Sequence, residues 1–179
     1  GGVNNEKVWT FDNGSYGFAA GEVTYADPST TVEWNNWSAN WDPGVGHSGD
    51  DAIWESTMTF GLTGGANVTV YNSSSQSTAV GTFMLNVDDH TITFTDCELL
   101  HTPSWSDRST NWNRNLKLLE LDENHMRIGV MRDNSEGPWW LVWNFVSKEY
   151  ADNYVPEDRP DPEPALPDGW EDMVSEVVT

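Results

Sequence analysis

Thr82-Phe83-Met84-Leu85-Asn86-Val87-Asp88-Asp89-His90-Thr91-Ile92-Thr93-Phe94-Thr95 sets the fold class. Both arms alternate with period two, and Asp88-Asp89 supplies turn chemistry between them, so the stretch reads as a β-hairpin with one apolar face. The same period continues outward. Upstream it runs through Met58-Thr59-Phe60-Gly61-Leu62 and Val68-Thr69-Val70-Tyr71, and an early strand around Val8 to Phe11 closes on Asp12-Asn13-Gly14. Downstream it returns in Leu116 to Leu121, His125 to Met131 and Trp139 to Val146, separated by Asp122-Glu123-Asn124 and Gly137-Pro138. No stretch carries a helical period. Short strands joined by tight turns predict an all-β fold, an antiparallel β-sandwich of jelly-roll type, over residues 1–150. Its inner faces are expected from Phe60, Val70, Phe83, Leu85, Ile92, Phe94, Leu118, Ile128, Val130, Leu141 and Phe145.

Beyond this domain the composition changes. Residues 151–169 are rich in Pro and acidic side chains and read as a stiff, solvated linker. Asp168-Gly169-Trp170 then reads as the opening of a following module at 170–179. With Gly1-Gly2-Val3 at the other end, the expectation is a piece of a multidomain array with neighbouring modules in the same chain.

The formal net charge of −21 repels phosphate backbones and anionic headgroups, which argues against nucleic acid and against polyanionic ligands. No apolar run approaches the roughly 20 residues of a membrane span, so no membrane insertion is expected. Cys97 is the single cysteine, lies in a strand-like run, and is expected to be a small buried hydrophobe.

Eleven Trp in a hydrophilic chain need a reason, because an indole is large and its N–H wants a partner. Two segments concentrate them. Residues 32–54 hold Trp34, Trp37, Trp41 and Trp54 among Asn, Gly, Asp and Ser; residues 101–115 hold Trp105 and Trp112 among Ser, Thr, Asn and Arg. Both read as long loops, which in a small domain are usually functional. Sugars offer apolar C–H faces rimmed by hydroxyls, so flat aromatics beside forked hydrogen-bonding groups suit them. The candidate ligand-binding residues are Trp37, Asn40, Trp41, Trp105, Asp107, Arg108, Trp112 and Trp140, the last on the strand face opposite Leu141, Trp143 and Phe145. The competing expectation is that the loop indoles plug the ends of the fold. Trp9 and Trp143 are assigned to the core.

The stretches Asn115 to Leu121 and His125 to Arg132, followed by Ser135-Glu136-Gly137-Pro138-Trp139-Trp140-Leu141-Val142-Trp143-Asn144-Phe145, resemble modules in surface glycan-binding proteins of Bacteroidetes-type bacteria. The Trp-rich segment from Trp37 to Phe60 fits the same pattern. The resemblance spans about residues 8–150 and implies a carbohydrate-binding β-sandwich, outside the cell or on its surface, that holds polysaccharide or oligosaccharide. It supplies no fixed set of ligand residues.

Glycoside hydrolysis needs two opposed carboxylates, one with a raised pKa. No Glu-x-Asp-x-x-Glu run is present, and Asp50, Asp51 and Glu55 sit beside a turn with nothing to desolvate them. His47, His90, His101 and His125 lack metal-ligand spacing, and Asp42, Asp50 and Asp51 read as solvated turn carboxylates rather than a calcium site. The expectation is therefore no catalytic residue, no metal and no cofactor. A structural spacer domain is the alternative from another class.

Overall fold

The alternating stretches do form strands. The computed structural model describes residues 5–156: β1 (Glu6–Phe11), β2 (Val23–Ala26), β3 (Val32–Glu33), β4 (Asn36–Trp37), β5 (Thr57–Gly61), β6 (Asn67–Asn72), β7 (Ser77–Asn86), β8 (Thr91–Thr95), β9 (Leu116–Leu121), β10 (His125–Met131), β11 (Trp140–Ser147) and a short helix α1 (Lys148–Asn153). The Pro/acidic segment from residue 157 onward, and Trp170 with the expected next module, lie outside the described residues.

The jelly-roll-like sandwich expected from the strand count does not form. The strands pair in the order β1-β5-β6-β7-β8-β9-β10-β11, and β11 pairs back onto β1, closing an eight-stranded antiparallel barrel. From β5 onward each strand pairs with its neighbour in sequence. Such a meander leaves only the first and last strands as edges, and two unpaired edges are best satisfied by each other. β1 does both jobs: Glu6 to Trp9 pair with Gly61 to Met58, while Trp9 to Phe11 pair with Ser147 to Phe145. Closure also needs a bend, and Gly81 in the middle of β7 allows it. A Cβ there would lie 2.0 Å from the Thr95 carbonyl oxygen and 2.8 Å from Cys97 Sγ, so only glycine permits the approach.

The barrel's first strand is broken in two. β2 continues along β11 where β1 stops, pairing Val23 to Ala26 with Trp143 to Trp140. Asn144 spans the break: its carbonyl accepts from Asp12 N–H at 2.9 Å, and its own N–H donates to the Glu22 carbonyl at 3.0 Å. Residues 13–21 are looped out between these two bonds.

After β2 the chain makes an excursion over the outer wall. The small β3–β4 hairpin docks on β9 through the Asn35 N–H to the Leu119 carbonyl, 2.9 Å, with Asn35 at φ 52° at its tip. Ala26, Val32, Leu119 and Val142 form a second small core beneath it, with Trp37 and Trp140 packed against it.

Inside the barrel, Val70, Ile92, Phe94, Leu118, Ile128, Val130, Leu141 and Phe145 are buried as expected, with Trp9 and Trp143. Cys97 is buried and unpaired, and burial pushes its thiol up to about 11. Phe60 and Phe83 are only half-buried and Leu85 is 41% exposed. These three also face inward, but they stand where the barrel is open.

Candidate ligand-binding surface

Trp41 is held by backbone before its side chain is considered. It forms a bridge with Tyr25 of β2: Tyr25 N–H donates to the Trp41 carbonyl at 2.9 Å, and Trp41 N–H returns the bond at 3.2 Å. Paired residues across such a bridge project to the same side. The indole accordingly lies against the Tyr25 ring, centroids 4.7 Å apart and planes 31° from parallel. It remains 50% exposed, and among the described residues no other Trp, Tyr or Phe is as open to solvent.

Polar groups gather around it. His47 meets the Trp41 ring edge-on at 4.9 Å, and its Nε2 lies 3.0 Å from the Tyr25 hydroxyl. Burial holds the imidazole below its ordinary pKa, with Arg108 adding to the effect against Glu22. At neutral pH His47 is therefore uncharged. Arg108 stacks its guanidinium 3.8 Å from the Trp105 ring, and its side chain is within 3.9 Å of Glu136, which also pairs with Arg132 at 3.1 Å. Trp41, Trp105 and Arg108, drawn from two separate segments of sequence, thus meet around Tyr25.

The loop that carries His47 is built on a buried carboxylate. Glu22 accepts from Gly46 N–H, Ser48 N–H and the Ser48 hydroxyl at 3.0–3.1 Å. Asp12, at the other side of the strand break, accepts from Gly14 and Ala19 N–H. Burial raises its pKa to about 6 against the pull of those donors and of Arg127. Both carboxylates hold turns together.

The other sequence-derived candidates go elsewhere. Trp105 and Trp112 belong to the barrel core, at the end covered by the 3₁₀ turn Pro103–Arg108. Trp112 stacks on His101 at 3.7 Å, and its Nε1 donates to the Ser106 and Ser109 carbonyls. Neither offers a free ring face, because a barrel end must be filled by something and these indoles fill it. Asp107 is exposed on the same turn. Asn40 spends its side-chain oxygen on Asp27 N–H at 2.8 Å. Trp37 is half-buried, with the Arg127 guanidinium 5.1 Å from its ring.

Trp140 does face outward, but the excursion half-covers it. Its ring lies beside Gly129, with Lys117 Nζ 4.8 Å from its centroid. A cleft of about 520 Å³ opens there, walled by Trp140, Trp34 and His90, the last two stacked at 4.7 Å and 4°. In sequence Trp34 is one more indole of a Trp-rich segment, and nothing there singles out Tyr25 or His47. The alternation of β2 is too short to reveal which way Tyr25 points.

Among the described residues no group of three or more His, Cys, Asp or Glu could hold a metal ion. Asp42 and Asp50 instead accept from Gly44 and Ala52 N–H within their own turns. No protein-family model matches the chain, and no curated protein matches it.

Proposed function

We propose that this domain binds a neutral polysaccharide or oligosaccharide without cleaving it, stacking a sugar ring on Trp41. The observation that carries the reading is the indole itself: half exposed, yet fixed by two backbone bonds and a ring beneath it. A rigid aromatic loses little entropy on binding. Its neighbours suit hydroxyls, with Arg108 and Glu136 as donor and acceptor and a neutral His47 at the edge. The resemblance to surface glycan-binding modules points the same way, and with it comes a place outside the cell or on its surface, in a multidomain protein. A binding rather than hydrolytic role is supported by Asp12 and Glu22, the two buried carboxylates among the described residues, being occupied with loop N–H groups.

The burial of Trp105 and Trp112 favours a second reading, a structural spacer. Affinity electrophoresis against a panel of soluble polysaccharides separates the two. Removing a stacking aromatic costs roughly 1–3 kcal/mol, about ten- to a hundredfold in affinity. Trp41→Ala should abolish retardation by any polysaccharide that slows the wild type, with the melting temperature nearly unchanged. Retardation that survives Trp41→Ala would move the site elsewhere, and a panel with no retardation at all would leave the spacer.

A further inference from the structure

The end of the barrel away from Trp105 and Trp112 is hollow. A cavity of about 330 Å³ opens there, walled by Trp9, Phe60, Phe83, Ile92, Leu118 and Met126. That volume lies within the roughly 300–1,000 Å³ of small-molecule pockets. Eight strands make an interior that side chains can just fill or that can keep one small ligand, and here the filling stops partway. Phe60 and Phe83 meet edge-to-face at 4.9 Å and line the space without closing it. The rim is apolar too: Leu62, 66% exposed, and Leu85, 41% exposed, line it. Apolar walls give water few partners and give hydrocarbon a favourable place.

The polar part of the mouth belongs to one strand. Strand alternation puts Lys7 on the inward face with Trp9, and its Nζ lies 5.6 Å from the Trp9 ring. Asn5 and Glu6 line the mouth as well, with the Glu6 Cγ beside Gly61. Among the described residues the Lys7 ammonium forms no ion pair with a carboxylate. In a chain of net charge −21, an unpaired cation at the lip of an apolar cavity selects a particular ligand.

We propose that the open end binds a single-chain amphiphile with one negative charge, a free medium-chain fatty carboxylate, its tail inside the barrel and its head at Lys7. The overall acidity that repels polyanions sets only a small penalty on one carboxylate held at a local cation. This site is independent of the Trp41 surface.

Titration calorimetry with laurate, kept below its micelle concentration, tests it on the full chain. Laurate should bind one per chain. Dodecanol should bind about tenfold more weakly, as should laurate to Lys7→Gln, because each loses the charge-assisted bond. Dodecyltrimethylammonium should be weaker still. Leu85→Glu, at an exposed rim position that leaves the fold intact, should abolish laurate binding. Absence of laurate binding would overturn the proposal, as would binding indifferent to both variants. No laurate binding together with self-association that Leu85→Glu abolishes would assign the mouth to a second copy of the chain and equally overturn it.

Discussion

The two ends of this barrel are made from the same alternating strands and finish differently. At one end the connection between β8 and β9 folds inward: Trp112 stacks on His101, and Trp105, Trp112 and His101 pack edge-on or tilted against Trp143. At the other the connections are short hairpins, too short to reach across, and Phe60, Phe83 and Leu85 face a cavity. Large aromatics therefore do opposite work at the two ends. In the closed end they are structural filling, while at the open end they line a space that a ligand can take. Trp41 stands at the edge of the closed end: it packs on Tyr25, whose ring lies 6.3 Å from Trp105, and keeps half its surface in solvent.

This contrast is broken most readily by truncation. Trp112→Ala removes a stacked, doubly bonded indole from a filled end and should cost roughly 3–5 kcal/mol. Phe83→Ala enlarges a space that is already open and should cost about 1–2 kcal/mol. Denaturant melts of the two variants measure the difference, and equal losses would mean that both ends are packed alike.

Acid should also strain the closed end. Burial holds His101 down to about 4, with its ring nitrogens engaged by the Leu99 carbonyl and the Ser106 hydroxyl. Its folded pKa lies below the unfolded value of about 6.5, so its contribution is present above pH 6.5 and lost as pH falls towards 4. Between pH 7 and 5 the loss is about 2 kcal/mol. Asp12 acts with the opposite sign: its folded pKa, raised to about 6, makes the folded state gain relative stability as pH falls through 6. The two nearly offset in the wild type. His101→Phe should therefore remove the acid loss, and Asp12→Asn should steepen it, in stability measured from pH 7 to 5. Parallel pH profiles for all three proteins would contradict the assignment.

The smallest effect belongs to the rim. Leu85→Ser, at a side chain 41% exposed, should change stability by no more than about 0.5 kcal/mol, measured by the same melts. A larger loss would mean that the mouth is covered rather than open.

Much of this was legible in sequence because strand alternation is local. Period two points Phe94, Ile128, Leu141 and Phe145 inward, and they are buried. Closure was not legible, since a sandwich and a barrel share that period. What separates them is the pairing of Trp9 with Ser147, across nearly the whole domain. The hairpin-after-hairpin order from Met58 onward carried a hint of a meander, as did Gly81 inside a strand. The polar neighbours of Trp105 and Trp112 suggest exposure, but those Ser and Asn residues pair with the loop's own backbone, as at Ser109 and Asn111. The same polarity surrounds Trp41, which does reach solvent. Neighbour polarity alone could not tell the two outcomes apart, because the bridge to Tyr25 lies 16 positions away in sequence.

The most direct test of the account is the indole N–H spectrum of the ¹⁵N-labelled protein, assigned by single Trp→Phe variants and followed during titration with a retained oligosaccharide. The Trp41 resonance should shift strongly and saturably, Trp105 beneath Arg108 slightly, and Trp112, Trp143 and Trp9 not at all. A spectrum in which Trp41 stays fixed while Trp9, Trp34 or Trp140 moves would contradict the assignment of the sugar to the Trp41 platform.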